Sequence, residues 1–305
     1  MLNIELMKKV LYVILAGLLT FTACKDDDTN SPKPINDPLA VGEVSEDNTA
    51  MFNVFGATYC WNCYEPTGTY MQRVMDLAGD EMISFKMAGN YSYASLGVTF
   101  EATDIVNNSR AEHGGIRGFA AYTLNNRDWG YLANADGAIA FADAANAAID
   151  FGTSTDVKAN VASKFSLDGK NFRLKYKFKA FEDLESTHSV AFYVIANDMD
   201  AWYWPGTSGA PLEMGKWKPF LLGSLNGSFG DQEISGLKVG ETFEGEIEFD
   251  AENLRFDEST VRPGESNIEI TEELLAKADI FAVIWNNQNV TSRSFVNCSK
   301  AEKVQ

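Results

Sequence analysis

Histidine and basic residues are scarce in this chain. Only two of its 305 residues are histidines, His113 and His188, which argues against a histidine-rich metal site. Lysine and arginine number 25 against 43 acidic residues, so the formal net charge is -18. A protein that binds nucleic acid needs a basic face for the phosphates, and nucleic acid is therefore not predicted as a partner. No metal and no cofactor is predicted.

Cysteine is also scarce. The four cysteines are Cys24, Cys60, Cys63 and Cys298, which are too few and too scattered for a disulfide framework. Each therefore needs its own interpretation. Cys298 ends the stretch Ser294–Cys298, which is predicted as a last strand, and there it is expected to be a small buried hydrophobe. A reactive thiol or an intermolecular disulfide is the alternative for Cys298.

Residues 1–23 have the pattern of a secretory signal peptide. Lys8-Lys9 supplies a basic start, and the apolar run Val10–Ala23 that follows is shorter than the roughly 20 residues of a membrane-spanning helix. The motif Phe21-Thr22-Ala23-Cys24 resembles a bacterial lipobox, whose cysteine becomes the lipidated mature N-terminus. The protein is therefore predicted to be a lipoprotein that contacts the membrane through acyl chains such as palmitate on Cys24. The alternative is an ordinary cleaved signal with a chance cysteine.

Residues 24–48 are predicted to be an acidic, flexible tether. Lys25-Asp26-Asp27-Asp28 resembles the short tag that marks surface-exposed lipoproteins in some Gram-negative bacteria, and its alternative is simply the acidic start of a solvated tether. Residues 29–48 are rich in Asn, Asp, Ser and Pro and lack apolar periodicity. The predicted location is the outer membrane, lipid-anchored and exposed at the cell surface.

Residues 49–150 are predicted to form a thioredoxin-like α/β domain. The apolar run Met51–Ala57 has the length of a buried strand, and the C-x-x-C motif Cys60-Trp61-Asn62-Cys63 follows it. The spacing of one helix face comes next, at Met71, Val74, Met75 and Ala78. The order βαβαββα is completed by strands at Met82–Met87, Gly118–Leu124 and Trp129–Ala133 and by helices at Glu101–Arg110 and Ala138–Ala148.

Residues 151–305 are predicted to form an antiparallel β-sandwich. Apolar residues alternate with Arg173, Lys175 and Lys177 in one strand and with Glu244, Glu246 and Glu248 in another. If these two strands are neighbours, ion pairs between them help to set their register. The runs Val190–Ala196 and Phe281–Trp285 are apolar throughout, which is typical of strands covered on both faces.

Three motifs resemble the outer membrane protein twenty-eight family of lipoproteins. They are Phe55-Gly56-Ala57-Thr58-Tyr59-Cys60-Trp61-Asn62-Cys63, Gly79-Asp80-Glu81-Met82-Ile83 and Gly115-Ile116-Arg117-Gly118-Phe119. The resemblance extends over nearly all of the mature chain. It implies a thioredoxin-like domain followed by a β-sandwich, in a surface protein or adhesin.

The C-x-x-C motif allows two interpretations. Cys60 at a helix N-terminus has the setting of an attacking thiolate, with Cys63 as the resolving thiol of an extracytoplasmic thiol–disulfide oxidoreductase. However, alignment with redox-active thioredoxin-like proteins puts Ala120 where those proteins carry a cis-proline, and Val54 where many carry a buried acid. The chain has no proline between Pro66 and Pro205. The other interpretation is a permanent structural Cys60–Cys63 disulfide, since oxidation is expected outside the cytoplasm.

Residues 197–240 are predicted to be a long irregular segment rich in aromatic residues. If exposed, these aromatic side chains would stack on sugars or anchor a protein partner, and if buried they would close one end of the sandwich. The predicted function is therefore binding or adhesion by a surface lipoprotein, with a glycan or a protein as ligand, and the oxidoreductase is the alternative. The ligand-binding candidates are Trp202, Tyr203, Trp204 and Trp217.

Overall fold

The computed structural model of the chain describes residues 37–58, 60–89, 96–113, 120–131, 137–203, 213–289 and 292–304. The predicted signal peptide, Cys24 and the acidic tag lie outside these residues, as do Trp204 and the motif at 115–119. Residues Pro38–Gln305 form one compact unit. None of the helices in the described ranges is long and apolar enough to cross a membrane.

The first half of this unit has the predicted order βαβαββα. Its sheet order is β2-β1-β3-β4, with β1 and β2 parallel and β3 antiparallel to both of its neighbours. This is the arrangement of a thioredoxin-like core. In chain order the elements are β1 (Ala50–Gly56), α1 (Trp61–Ala78), β2 (Met82–Ala88), α2 (Phe100–His113), β3 (Ala121–Leu124), β4 (Arg127–Tyr131) and α3 (Gly137–Gly152).

Strand β1 is buried on both faces, which explains its continuous apolar run. Phe52 and Val54 pack against α1 and α3, whereas Met51 and Phe55 pack against α2. Neighbouring residues of a strand point to opposite faces, so an apolar residue at nearly every position is what a strand covered on both sides requires. The end of β1 that leads to the C-x-x-C motif is therefore buried.

The second half is mostly β structure, as the sequence predicts. Its elements are β5 (Ala159–Asp168), β6 (Asn171–Ala180), β7 (His188–Ala196), β8 (Met199–Tyr203), β9 (Glu213–Trp217), β10 (Phe220–Ser224), β11 (Thr242–Asp250), α4 (Glu272–Ala276), β12 (Ala278–Asn289), β13 (Ser292–Lys300) and β14 (Glu302–Lys303).

Four of these strands extend the thioredoxin-like sheet. The eight-stranded order is β13-β12-β7-β10-β2-β1-β3-β4, so the sheet runs across the boundary predicted at residue 150. The junction is a short parallel contact in which Phe220 of β10 lies opposite Lys86 of β2, and the Lys86 amide donates to the carbonyl of Pro219 at 2.8 Å. The separate β-sandwich domain predicted for residues 151–305 is therefore not found, because one of its sheets is continuous with the sheet of the first half.

A four-stranded sheet, β11-β6-β5-β14, packs on one face of the larger sheet and shares a core cluster with β7, β10 and β12. Side chains of β13 form hydrogen bonds with the backbone of β5 in this four-stranded sheet. Asn297 donates to the carbonyl of Ala159 at 3.0 Å, and Ser299 donates to the carbonyl of Val161 at 2.6 Å. These bonds satisfy backbone groups along part of the β5 edge, which would otherwise stay unpaired.

The ion pairs predicted between two charged strands are confirmed. Strands β6 and β11 are antiparallel neighbours, and their register sets Lys177 opposite Glu244 and Lys175 opposite Glu246. The Lys177–Glu244 distance is 2.9 Å and the Lys175–Glu246 distance is 3.6 Å. Arg173 contacts Glu246 at 2.9 Å as well.

Residues 38–48, which the sequence assigns to the flexible tether, are part of the folded unit. Leu39 and Val44 are buried. Asn48 donates to the carbonyl of Ser154 at 3.2 Å, and Asn160 donates to the carboxylate of Asp47 at 2.7 Å. The polar composition of this segment was misleading, because its asparagine and aspartate side chains bond to the fold instead of to water.

Candidate functional site

The C-x-x-C motif lies at the junction of β1 and α1, as predicted. Cys60 is the residue that caps α1, and its amide donates to the carbonyl of Ala57 at 3.0 Å. The Cys63 amide donates to the carbonyl of Cys60 at 2.9 Å, which starts the helix. The two cysteines form a disulfide with their Cα atoms 5.2 Å apart.

Cys63 and the described residues packed against it are buried. Cys63 is 1% exposed and shares a core cluster with Ala88 and Ala120, whereas Cys60 is half-buried. Gly56 permits the close approach of α1, because a Cβ atom there would lie 2.8 Å from the Cβ of Cys63. We call Gly56, Cys60, Cys63 and Ala120 the disulfide corner.

The disulfide corner has one feature that favours thiol chemistry and two that oppose it. The first turn of α1 contains no acidic residue, so the helix N-terminus would stabilise a thiolate at Cys60. However, Ala120 is 2% exposed and so does not line an open groove. Val54, at the position where an acid would transfer protons, is buried among apolar side chains.

Lys86 is a buried residue that the sequence did not single out. It lies opposite Val54 on β2, is 4% exposed, and its ammonium is 5.2 Å from the ring centre of Trp217. The sequence signal that could have revealed a buried lysine was a charged residue within the predicted strand Met82–Met87. Its position over Trp217 indicates a cation–π contact that joins β2 to the β9 end of the second half.

Cys298 is buried, as predicted. Its thiol donates to the carbonyl of Thr49 at 3.1 Å, and burial raises the thiol pKa well above its usual value. A thiol reacts as the thiolate, so a high pKa and no exposure make Cys298 unreactive.

The predicted irregular segment contains a β-hairpin instead. Strands β8 and β9 pair with Trp202 opposite Met214 and Asp200 opposite Lys216. Trp202 is 44% exposed and Met214 is 51% exposed. Of the other aromatic candidates, Tyr203 and Trp217 point into the core, and Trp204 lies outside the described residues.

A cavity of about 360 Å³ lies against the exposed face of this hairpin. One wall carries Trp202 and Met214, and the opposite wall is formed by residues 266–277 with Ile268 and Leu274 as apolar members. We call this site the Trp202 cavity. Its volume is at the small end of the range of about 300–1,000 Å³ that is typical of ligand pockets.

A chain of alternating charges links the two walls of the Trp202 cavity. Lys216 of β9 contacts Asp200 at 3.0 Å and Asp198 at 2.9 Å. Lys277 contacts Asp198 at 3.7 Å and Glu273 at 3.0 Å. The hydrogen bond from Lys216 lowers the pKa of Asp198, and bonds to Asp198 and to Glu273 raise the pKa values of Lys216 and Lys277, respectively. Asp198, Lys216 and Lys277 therefore remain charged at neutral pH.

A hydrogen bond joins the wall formed by residues 266–277 to Gly97. Gly97 donates its amide to the Asn267 side chain at 2.9 Å. Gly97 has φ +69°, and a Cβ there would lie 2.5 Å from Ile268. The neighbouring Leu96 lines the cavity, and its amide donates to the Thr58 hydroxyl at 2.6 Å. Residues 96–97 thus contact both Thr58, two residues after Gly56 of the disulfide corner, and the wall of the cavity.

Sequence reasoning found Trp202 but missed the residues around it. Trp202 was found as an aromatic residue of a segment predicted to be irregular. The alternation in β8, where Met199 and Ala201 are buried while Asp200 and Trp202 are exposed, was a signal that could have revealed the strand. Lys216 was missed together with its hairpin, and Lys277 carried no signal because it reaches the cavity from a segment distant in sequence.

Comparisons with known proteins show the fold. No protein-family model and no curated protein matches the chain. Among solved structures, HBP35 of Porphyromonas gingivalis is similar with a TM-score of 0.56 and 14% identity, over 86% of this chain and 78% of that one. The matched share of this chain is larger than either its thioredoxin-like half or its β half, so the structural similarity includes parts of both.

A second solved structure is a b-glucosidase, EmGH1 from Erythrobacter marinus. It matches with a TM-score of 0.21 and 13% identity, over 50% of this chain and 16% of that one. A score this low carries no argument about fold or activity.

Proposed function

We propose that this protein is a lipid-anchored outer-membrane lipoprotein, exposed at the cell surface, that acts by binding a ligand in the Trp202 cavity. The observation that carries the proposal is the placement of its exposed apolar side chains. Two of them, Trp202 and Met214, lie opposite each other on one cavity wall. The exposed large apolar side chains among the described residues are Leu77, Phe100, Trp202, Met214 and Val239.

Apolar side chains that cluster in a concave, charged surface are typical of binding sites. Tryptophan supplies large contact area with few rotatable bonds, and it is enriched among residues that dominate binding energy. The cavity is also preorganised, because the ion-pair chain and the Gly97–Asn267 bond fix its two walls. A fixed site loses less entropy when it binds.

Binding is tested with the double variant Trp202→Ala/Met214→Ala. The matched control is Phe100→Ala/Val239→Ala, which removes two apolar side chains that lie outside the cavity and are somewhat more exposed than Trp202 and Met214. Both proteins are applied to arrays of immobilised glycans and peptides. The proposal predicts that ligands of the wild type are lost from the cavity variant and kept by the control. Equal binding by all three proteins would contradict it.

The lipid anchor is proposed from the lipobox resemblance at Cys24, and the surface location from the acidic residues after it. Cells expressing the wild type are expected to incorporate labelled palmitate into the protein, and the Cys24→Ser variant is expected not to. Protease added to intact cells should then digest the wild-type protein. Survival of the protein in intact cells would argue for the inner face of the membrane.

An extracytoplasmic thiol–disulfide oxidoreductase is the second candidate. It is favoured by Cys60, which is half-buried at a helix N-terminus that lacks acidic residues. The test is the reduction potential of the Cys60–Cys63 pair in glutathione buffers. A value between about -120 and -270 mV lies in the range of working oxidoreductases, whereas a value below about -300 mV marks a structural disulfide.

A further inference from the structure

We infer that the ligand of the Trp202 cavity is a neutral carbohydrate, with one sugar ring stacked on Trp202 and its hydroxyl groups bonded to the Asp200–Lys216–Asp198 chain. This inference rests on the proposed binding function and names its ligand class. It follows from three properties of the cavity: its aromatic wall, its mixture of hydrogen-bond donors and acceptors, and the pairing of its charged groups.

The aromatic wall suits a flat, partly apolar ligand. Trp202 is 44% exposed and belongs to a regular, paired strand, so the hairpin presents part of its ring to the cavity and to solvent. A pyranose ring presents C–H groups on one face, and these pack on an indole ring as apolar groups do. Met214 beside it extends the apolar surface with a flexible, polarizable side chain.

The polar part of the cavity offers donors and acceptors side by side. Lys216 has three N–H donors, and its contacts with Asp198 and Asp200 account for two of them. Each carboxylate can accept several hydrogen bonds. A hydroxyl group both donates and accepts, so neighbouring sugar hydroxyls can bond to an ammonium and a carboxylate at once. Hydrogen bonds to charged groups are also stronger than those between neutral groups.

The charged groups of the cavity disfavour ionic ligands, because the acids Asp198, Asp200, Glu269 and Glu273 outnumber the two lysines and each lysine is already paired. The chain consists of three carboxylates and two ammonium groups, and each ammonium contacts two carboxylates. A cationic ligand would therefore compete with Lys216 and Lys277 for their partners. An anionic ligand would meet the carboxylate in excess and the further acid Glu269 at the cavity. A neutral ligand disturbs none of these pairs.

The inference is tested on an array that carries four classes of probe. These are neutral β-linked polysaccharide fragments, neutral mannose- or galactose-terminated glycoprotein glycans, sialylated or sulfated glycans, and oligolysine peptides. The first two classes are both neutral carbohydrates, and comparing them shows whether the ligand comes from a polysaccharide or from a glycoprotein. The full chain is purified in lauryldimethylamine oxide, a detergent without a sugar headgroup. Trp202→Ala is the test variant, Trp202→Phe keeps an aromatic ring, and Phe100→Ala is the control.

The expected result is binding to a neutral class that Trp202→Ala weakens about tenfold or more, while Trp202→Phe keeps most of it and Phe100→Ala keeps all. Trp202-dependent binding to charged glycans or oligolysine alone would overturn the neutral carbohydrate and leave the binding function in place. No binding to any probe would overturn the neutral carbohydrate, and binding that Trp202→Ala does not change would overturn both the carbohydrate and the assignment of binding to the cavity.

Discussion

The disulfide corner and the Trp202 cavity differ in what surrounds them. At the corner, Cys63 and Ala120 are nearly inaccessible and Gly56 leaves no room for even a methyl group. At the cavity, Trp202 and Met214 are about half exposed and the charged groups remain in contact with water. The C-x-x-C motif, which is known for thiol–disulfide exchange, thus lies next to a closely packed core. The β8–β9 hairpin, which the sequence did not predict, has the properties of a binding surface. Changes at the corner should affect stability, and changes at the cavity should affect binding.

The largest effect is expected from Gly56→Ala. The added Cβ would lie 2.8 Å from the Cβ of Cys63, so β1 and α1 must move apart within a core that has little free space. The expected loss is about 1–3 kcal/mol of unfolding free energy, measured by urea denaturation. Gly42→Ala is the control, because nothing lies within 4 Å of its added Cβ. Equal stability of the two variants would show that the corner is loosely packed.

Removal of the disulfide is expected to have a somewhat smaller effect. The Cys60→Ser/Cys63→Ser variant should lose roughly 2 kcal/mol, because so short a loop restricts the unfolded chain only slightly. The measurement is again urea denaturation, with the wild type under oxidising conditions as reference. A loss of ligand affinity in this variant at temperatures where it stays folded would break the separation between corner and cavity.

A still smaller loss of stability is expected from changes to the ion pairs between β6 and β11. Lys177 lies opposite Glu244 on one side and Ala162 on the other, so Lys177→Glu should cost about 1 kcal/mol. Lys175 faces Glu246 but also Lys164, and Lys175→Glu should therefore be close to neutral. Adding Glu244→Lys to Lys177→Glu should restore stability. Equal effects of the two lysine substitutions would contradict this account of the register.

The smallest effect expected is a pH dependence at His188. Burial lowers the pKa of His188 from its ordinary 6.5, and the charges near it are Glu182 and Lys158. The folded protein therefore keeps this histidine neutral while the unfolded chain binds a proton. Stability should be complete above about pH 6.5 and should fall as the pH drops through 6.5 toward the lower folded value.

Urea denaturation at pH 7.5 and 5.5 measures this dependence, with His188→Gln as control. The wild type should lose more stability than the variant between the two pH values. An identical loss in both proteins would show that other groups cause it. Ligand binding should not follow this dependence, because the pKa of Asp198 is lowered and those of Lys216 and Lys277 are raised, away from neutral pH.

The sequence predicted what depends on local pattern. The order βαβαββα follows from apolar periodicity, and the alternation of apolar and charged residues predicted β6 and β11 as strands with one wet face each, although not that they are neighbours. The wholly apolar runs Val190–Ala196 and Phe281–Trp285 are indeed strands buried on both faces. In each case the signal lies within about ten residues, where the geometry of a strand or helix fixes which side chains share a face.

The remainder depends on contacts between distant segments. The join between β10 and β2 has a single register pair, Phe220 with Lys86, and no pattern in either strand specifies that partner. The cavity combines the β8–β9 hairpin with residues 266–277, about sixty residues later. The hairpin itself was missed because Gly215 and Lys216 interrupt the apolar alternation of β9.

The most direct test compares the two regions in one titration. The neutral glycan that binds best on the array is titrated calorimetrically into the wild type, Trp202→Ala and Cys60→Ser/Cys63→Ser. The account predicts that the cysteine variant keeps the wild-type Kd and that Trp202→Ala weakens binding about tenfold or more. The reverse pattern, with affinity lost in the cysteine variant and kept in Trp202→Ala, would contradict it and assign the function to the disulfide corner.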